Sequence, residues 1–168
     1  MSTSNKMILR DAEEKDMEAI LGIYNEAILN TTAVYSEEPH TLEMRRTWFR
    51  DRKSQGFPVF VALVDNEVAG FSTYGPFRAW PCYGFTVEHS VYVDTRFRGM
   101  GVGKVLLQQV IDHARQANKH AMIAGIDADN TISYALHQSF GFSDVALLKE
   151  VGFKFGRWLD LRFMELIL

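Results

Sequence analysis

Helical and β-type hydrophobic patterns alternate along the chain. The first helix is predicted by apolar residues that recur at helical spacing: Met17, Ile20, Leu21, Tyr24 and Ile28. Asp11 and Glu14 resemble a capping box ahead of it, and the helix is expected to end near Asn30. Thr41 can cap a second helix that continues to about Gln55, before a glycine and a proline. The irregular segment between these helices is long and aromatic enough to form a binding loop.

Strand patterns occupy the middle and the end of the chain. The segments PVFVALV and EVAGFSTY, separated by Asp65 and Asn66, predict a hairpin. TVEHSVYV is predicted to be a strand with Glu88 on one face and His89 on the other. A glycine turn, an amphipathic helix from Val102, the short strand AMIAGI, a short helix and two long β-rich pieces follow. This order predicts an α/β protein, with a sheet that is joined by helical crossovers.

Length and composition restrict the class of protein. The 168 residues are 47% hydrophobic and 23% charged, which fits one globular domain over residues 1–168. The net charge is −3 and no dense Lys/Arg run occurs, so a nucleic-acid partner is not expected. The N-terminus lacks the apolar core of a signal peptide, and no segment approaches the ~20 apolar residues of a membrane span. We therefore expect a cytoplasmic protein without a membrane partner.

Cysteine usage restricts the chemistry further. Cys82 is the single cysteine of the chain, so it cannot form an internal disulfide. It has no neighbouring Cys or His at the spacing of zinc ligands, and no metal is expected.

The segment RFRGMGVGK lies between a predicted strand and a predicted helix. Its glycines leave the first helical N–H groups unpaired, and these groups together with the helix dipole favour an anion such as phosphate. A tight turn without a ligand is the alternative. The P-loop pattern is excluded because Arg98 and Val105 occupy the positions of its first glycine and of its Ser or Thr. The dinucleotide fingerprint is excluded because Lys104 occupies its third glycine position.

The same turn contains the pattern Arg98-x-x-Gly101-x-Gly103. This pattern resembles the pyrophosphate signature of the GNAT superfamily of N-acetyltransferases, which also lies between a strand and a helix. The resemblance implies acetyl-CoA as co-substrate, with its pyrophosphate on the N–H groups of consecutive residues: Gly99, Met100, Gly101, Val102, Gly103 and Lys104. It also implies the GNAT fold, a twisted mixed sheet that is flanked by helices and splayed open around acetyl-CoA.

Longer segments extend the resemblance over nearly the whole chain: VEHSVYV, RGMGVGK, DNTISYALHQSFGF and VGFKFGRWLDL. They are similar to the phosphinothricin and methionine sulfoximine N-acetyltransferase branch of that superfamily. The branch implies amino-acid substrates whose side chains carry a tetrahedral phosphinyl, sulfoximine or sulfone group, and it implies a homodimer. The segment GFKFGRW can also be explained as a β-bulge hairpin with an aromatic core.

Acetyl transfer to an amine requires a group that removes a proton from the ammonium form. Glu88 interrupts an otherwise apolar strand before the glycine turn, where partial burial would raise its pKa and improve it as a base. The branch resemblance also places its base here, and a structural carboxylate bonded to nearby backbone is the alternative. The neighbours His89 and Ser90 complete the substrate-binding set on this strand, although His89 can instead be a packed core or interface histidine.

The resemblance assigns further residues to acetyl-CoA. Strand backbone is expected to pair with the pantetheine amides, and an amide there could hold the thioester oxygen, at three residues: Val91, Tyr92 and Val93. Asn130 can cap the helix that it opens, bond the cofactor, or do both. His137 occupies the position of a tyrosine that protonates the thiolate in many members. It can act as acid or second base, or it can be structural, and Tyr134 is a weaker substitute.

Two loops carry the candidate substrate contacts. Arg78 can form a bidentate pair with a carboxylate, which favours an amino acid, although an exposed surface arginine is the alternative. Apolar walls, or simply core packing, are expected from three aromatic residues of the same loop: Phe77, Trp80 and Tyr83. From the first loop, three residues are expected to close over the substrate side chain: Thr32, Val34 and Tyr35.

Together with these residues, the resemblance implies an acetyl-CoA-dependent N-acetyltransferase that acetylates the α-amino group of a small amino-acid analogue directly, in a ternary complex. A covalent acetyl-enzyme is not expected, because Cys82 has no activating partner in the sequence. One alternative is acetylation of protein or peptide N-termini, which would need an open groove. The other is a non-catalytic acetyl-CoA-binding regulator, against which the presence of both Glu88 and His137 argues.

Overall fold

Seven strands form one mixed sheet in the computed structural model, which describes residues 6–168. The strands lie in the order β1-β2-β3-β4-β5-β7-β6. Their bounds are β1 Met7–Asp11, β2 Val59–Val64, β3 Glu67–Pro76, β4 Thr86–Val93, β5 Ala121–Asp127, β6 Ser143–Lys154 and β7 Arg157–Ile167. The helices are α1 Met17–Asn30, α2 Leu42–Ser54, α3 Val102–Gln116 and α4 Thr131–Ser139. The predicted mixed α/β class is therefore confirmed.

Two opposed helical layers cover the sheet. On one side, α3 packs against the central strands through buried residues that include Leu106, Leu107 and Val110. On the other side, α1 and α2 contribute Ile20 and Phe49 to a second apolar cluster. Successive residues of a strand point to opposite faces of the sheet, so each strand contributes side chains to both apolar clusters.

The sheet opens between β4 and β5. These strands pair in parallel over three positions, and Glu88 opposite Ile123 is the last of them. Along its other edge, β4 pairs with β3 from Val87 to Val93. The part of β4 beyond Glu88 therefore has no strand partner on the β5 side, and a cleft begins at this residue.

Local sequence signals form as predicted in two places. Asp65 and Asn66 have positive φ values of 49° and 70° and close the β2–β3 hairpin, as the primed two-residue turn requires. The Thr41 side chain accepts a hydrogen bond from the Met44 N–H at 3.2 Å and caps α2. The turn and the cap are each formed by residues that are close in the chain, so both can be predicted from the sequence alone.

The entry into α1 differs from the prediction. The capping interaction is formed by Asp16, whose carboxylate accepts the Glu13 N–H at 2.7 Å, and not by Asp11 and Glu14. Asp16 also pairs with Arg10 at 2.7 Å, and this ion pair connects α1 to β1, a strand that the sequence patterns did not predict. No helix within residues 6–168 combines the length and the apolar composition that crossing a bilayer requires.

Candidate active site

A half-buried carboxylate lies at the point where the sheet opens. Oε1 of Glu88 lies 3.0 Å from the position that a Cβ atom on Gly125 would occupy. Gly125 is the exposed position of the otherwise largely buried strand β5, so the cleft passes over it. Burial raises the pKa of Glu88, and the positive charge of Arg78 partly opposes this rise. A carboxylate with a raised pKa at an open cleft can accept a proton.

The loop between β3 and β4 borders the same cleft. The guanidinium carbon of Arg78 lies 5.1 Å from the centre of the Phe77 ring, and this ring makes edge contacts with Tyr83 and Phe163. Phe163 in turn lies 3.5 Å from the Cβ position of Gly125. Arg78 is exposed and acts electrostatically on Glu88, so this loop carries a cation towards the carboxylate.

Trp80 is placed differently from Phe77. It is 67% exposed and lines, with Arg78 and Tyr83, a small cavity of about 170 Å³ that does not include Glu88 among its lining residues. The structure shows no contact of Trp80 with the Glu88 side of the cleft among the described residues. Its predicted role as a wall of the substrate site stays a prediction.

Tyr35 is fixed by the β6–β7 hairpin. Its ring covers Gly152, where a Cβ atom would lie 2.6 Å from the ring, and its hydroxyl donates to the Asp160 carbonyl at 3.0 Å. Burial and the negative charges of Asp127 and Asp160 raise the pKa of Tyr35 to about 12. The phenol is therefore neutral and serves as an apolar and hydrogen-bonding surface. Asp127 ends β5, so Tyr35 lies near the far end of the cleft.

The glycine turn has the geometry of an anion site. Gly99 and Gly101 adopt positive φ values of 79° and 84°, and Gly101 is the N-cap of α3 without a side-chain cap. Within residues 6–168, the backbone N–H groups of 99–104 have no hydrogen-bond acceptor. Arg98 is half exposed and contacts Glu26 at 3.4 Å. Unpaired N–H groups at a helix N-terminus fit the pyrophosphate of acetyl-CoA.

The turn connects directly to the open edge of β4. A Cβ atom on Gly103 would lie 3.7 Å from Val93 and 3.7 Å from Leu136 of α4. Val91, Tyr92 and Val93 belong to the part of β4 without a partner on the β5 side. The Tyr92 side chain is partly buried and stacks on Phe71 on the face of the sheet that carries α1 and α2. Ser90 shares the face of Glu88 by strand alternation.

His89 and His137 form a buried pair on the opposite face of β4. Their Nε2 atoms lie 3.0 Å apart, and Phe142 packs against both rings. His137 Nδ1 donates to the Ser133 carbonyl at 2.6 Å. The placement corrects the assignment of His89 to the substrate set, because the His89 side chain points away from the face of Glu88.

The remaining residues of α4 are held within the protein. The Asn130 side chain accepts the Ser133 N–H at 3.0 Å, which is the predicted cap. The Tyr134 hydroxyl donates to Asp144 at 2.7 Å and accepts from Gln138 at 2.9 Å. Tyr134 is therefore engaged at the surface, and nothing in its contacts directs it towards Glu88.

Sequence reasoning missed Lys154. In the segment GFKFGRW, Gly152 and Lys154 are the buried positions, while the aromatic residues Phe153 and Phe155 are exposed. A lysine at an inward position of a strand is the signal that could have identified it, because lysine is rarely buried without a partner.

The splayed sheet, the free N–H groups of the turn and the half-buried carboxylate together fit an acyl-transfer enzyme. Residues 20–142 match the profile of the Acetyltransferase (GNAT) family, and the chain belongs to this family. It is an N-acetyltransferase.

Known relatives are similar over almost the whole chain. An L-methionine sulfoximine/L-methionine sulfone acetyltransferase of Salmonella typhimurium is 43% identical over 95% of this chain and 94% of its own length. A phosphinothricin acetyltransferase of Sinorhizobium meliloti, solved in complex with acetyl-CoA, has a TM-score of 0.94 and 37% identity, covering 96% of this chain and 88% of that one. A ribosomal-protein-alanine N-acetyltransferase of Brucella melitensis has a TM-score of 0.95 and 47% identity, covering 96% and 99%.

Proposed function

We propose that the protein transfers the acetyl group of acetyl-CoA to the α-amino group of amino-acid analogues with a tetrahedral side-chain group. Methionine sulfoximine, methionine sulfone and phosphinothricin are the proposed substrates. The observation that carries this proposal is the position of Glu88 beside Gly125 in the cleft, with Arg78 acting on it. The printed activities of the Salmonella and Sinorhizobium relatives support the substrate class.

Acetyl-CoA supplies a thioester, whose acetyl carbon an amine can attack. The N–H groups of residues 99–104 would hold its pyrophosphate, and Arg98 would add a positive charge at this turn. The open edge of β4 at Val91 and Val93 offers strand backbone to the amide groups of its pantetheine arm. Both features lie on the same side of the splay, where the strand leads into α3.

Glu88 would accept the proton of the substrate ammonium, directly or through water. Its raised pKa makes it a better base than an exposed carboxylate. Arg78 would pair with the substrate carboxylate. Its charge acts on Glu88, so Arg78 lies close enough to the base for one amino acid to reach both groups. An amino acid carries both groups on one carbon atom, so one base and one adjacent cation fit its head group.

His137 has a different role from the one that the family resemblance implies. Its Nδ1 donates to Ser133, so its Nε2 carries the lone pair and accepts from Nε2–H of His89. Burial lowers the pKa of His137, which keeps the ring neutral. With both ring nitrogens engaged inside the protein, we propose that His137 supports α4 and β4 and does not protonate the thiolate.

Acetylation of protein N-termini is the second candidate. It is favoured by the Brucella structure, which is named a ribosomal-protein-alanine N-acetyltransferase and is 47% identical to this chain. A peptide substrate would extend out of the cleft beyond its first residue. The carboxylate clamp by Arg78 would then have no partner, since the first residue of a peptide has none.

Free-thiol release from acetyl-CoA separates these candidates. The purified protein is assayed with methionine sulfoximine, methionine sulfone, phosphinothricin, common amino acids, polyamines and an alanyl peptide. Turnover confined to the tetrahedral analogues supports the proposal. Turnover of the peptide alone refutes it in favour of the second candidate, and acetyl-CoA binding without thiol release with any of them favours a regulator.

We also propose that the protein is a homodimer. Strand β6 is the outer strand of the sheet, and several apolar residues on it, in the turn that follows it and at the start of β7 are exposed: Val145, Leu147, Leu148, Val151, Phe153, Phe155 and Trp158. A long apolar edge strand favours association. Sedimentation equilibrium should give twice the chain mass of 19.2 kDa, and Leu148→Glu should shift it towards the monomer. A monomer at all protein concentrations contradicts the proposal.

A further inference from the structure

The ammonium group of Lys154 is buried beneath the end of α1. Only 1% of the residue is exposed. Nζ donates to the carbonyl oxygens of Ile28 at 2.6 Å, Thr31 at 2.7 Å and Val34 at 2.7 Å. An ammonium group has three N–H donors, so backbone carbonyls use all of its hydrogen-bonding capacity. Lys154 is thus a structural cation and is not available to a ligand.

The electrostatic reason for this arrangement lies at the C-terminus of α1. The last turn of this helix contains no basic residue, although a helix C-terminus favours a positive charge. Lys154 supplies that charge from a strand more than a hundred residues later. Burial lowers the pKa of Lys154, and the negative charge of Glu37 opposes this effect. Three short hydrogen bonds offset the cost of burying the ammonium group.

The segment that Lys154 holds continues into the loop of Tyr35. Val34, which accepts one of the three hydrogen bonds, is the residue before it. Tyr35 then packs on Gly152, and the Glu37 carboxylate accepts the Phe155 N–H at 3.0 Å. Every one of these contacts comes from the β6–β7 hairpin, so the hairpin determines where the first half of the loop lies.

The second half of the loop is anchored separately. The Asn25 side chain donates to the His40 carbonyl at 2.9 Å and accepts the His40 N–H at 2.8 Å. Loss of Lys154 would therefore release residues 31–37 while the start of α2 stays in place. The glycine turn at Gly101 makes no contact with Lys154, whose donors all go to the carbonyls named above.

We propose that Lys154 is a positioning residue that holds Tyr35 and its loop in the geometry that binds the amino-acid substrate. This inference rests on the proposed function, because it requires Tyr35 to border the substrate. Lys154 touches neither substrate and acts through the carbonyls of Thr31 and Val34. Removal of the Lys154 ammonium group raises the KM for the amino acid and leaves the acetyl-CoA site unchanged.

Lys154→Met tests this role, since it keeps an unbranched apolar stem and removes the three donors. The KM for methionine sulfoximine should rise about tenfold or more, as expected when a positioned contact is displaced, with the KM for acetyl-CoA unchanged. Cleavage by a glutamate-specific protease after the exposed residue Glu37 should become faster. Lys53→Met is the matched control, because Lys53 contacts the Phe49 ring and no loop carbonyl. It should change none of these quantities.

Specific outcomes overturn the proposal. An unchanged KM for the amino acid together with unchanged cleavage after Glu37 contradicts it, and so does an equal rise of both KM values. If Lys154→Met does not fold, Lys154→Gln, which keeps an amide donor, is compared in the same way and should show a smaller change of the same kind. A wild-type protein that acetylates only peptides refutes the proposed function, whereas the protease comparison still tests the anchoring by Lys154.

Discussion

The Nε2 atoms of His89 and His137 lie 3.0 Å apart, and only one of them can carry the proton between them. Because His137 Nδ1 donates to the Ser133 carbonyl, the shared proton belongs to His89. Both rings are then neutral, and Nδ1 of His89 is a buried lone pair without a partner among the described residues. A proton added to either ring would lack an acceptor, so the pair requires neutral histidines.

This pair makes stability depend on pH. Burial lowers the pKa of both histidines in the folded protein, whereas the unfolded chain titrates near ~6.5. Below that pH the unfolded state binds more protons than the folded state. The free energy of unfolding therefore decreases as the pH is lowered, by up to about 1.4 kcal/mol per pH unit for each ring. His89→Gln can still donate to His137 and should reduce this slope by about one proton. Urea unfolding between about pH 5 and 7 measures it.

A matched control separates the pair from unspecific effects of substitution. Ser139→Ala on α4 changes no titratable group and should leave the slope at its wild-type value. His40 and His113, whose pKa values are also lowered by burial, keep their own contribution in every variant. An identical slope in wild type and His89→Gln would refute the neutral state of His89 in the folded protein.

Glu88→Gln removes the proposed base without changing its size. We expect kcat/KM for the amine to fall on the order of a hundredfold or more near neutral pH, while the Kd for acetyl-CoA stays the same. In the wild type, kcat/KM falls as the pH drops through the raised pKa of Glu88, and the variant should lose this limb. Glu18→Gln on the exposed side of α1 is the control. A variant with wild-type turnover at every pH would remove Glu88 from the mechanism.

Gly125→Ala tests whether the room beside Glu88 matters. The added methyl group would lie 3.0 Å from Oε1 of Glu88 and 3.5 Å from the Phe163 ring, so the carboxylate must move by a few tenths of an ångström. A displaced base lowers kcat, and we expect a loss of roughly tenfold with acetyl-CoA binding retained. Steady-state kinetics with both substrates measures this. Unchanged kcat would show that the carboxylate has more freedom than the structure indicates.

Arg78→Ala tests the carboxylate clamp. The KM for the amino acid should rise roughly tenfold to a hundredfold, the range that corresponds to losing a hydrogen bond between charged groups. Since Arg78 lowers the pKa of Glu88, its removal should also move the acidic limb of kcat/KM to higher pH. Amines without a carboxylate serve as the control substrates. An equal loss with those amines would exclude a clamp.

Gly101→Ala tests the turn that faces the co-substrate. Its φ of 84° costs an L-residue roughly 1–2 kcal/mol, so the helix start must strain or move. We expect the Kd for acetyl-CoA to rise about tenfold, since 1.4 kcal/mol corresponds to a factor of ten. Gly22→Ala lies in open space within α1 and should stabilise the fold by up to about 1 kcal/mol without affecting this Kd. Equal Kd values in both variants and wild type would contradict the assignment.

Local chemistry explains which elements could be predicted from the sequence. The Asp65–Asn66 turn, the Thr41 cap and the positive φ of Gly101 all follow from interactions between residues close in the chain. Strand β1 could not be predicted in the same way. It has five residues, ends in Arg10 and Asp11, and gains its pairing from β2 across the sheet edge.

The site depends more strongly on contacts between distant segments. Sequence reasoning proposed Glu88 and Arg78 as site residues, which stays a prediction, but the space beside Gly125 is visible only once β5 lies next to β4. The partner of His137 is 48 residues away, and Lys154 reaches carbonyls 120 to 126 residues earlier. No periodicity within one segment reports such contacts, because the sheet topology creates them.

The ratio of kcat/KM for L-methionine sulfoximine to kcat/KM for a peptide with N-terminal alanine tests the central claim most directly. Both substrates are acetylated at an α-amino group, and only the amino acid places a carboxylate next to it for Arg78. We predict a ratio well above one in the wild type that falls sharply in Arg78→Ala. A ratio below one in the wild type, unaffected by Arg78→Ala, would contradict a small amino-acid substrate and favour protein N-termini.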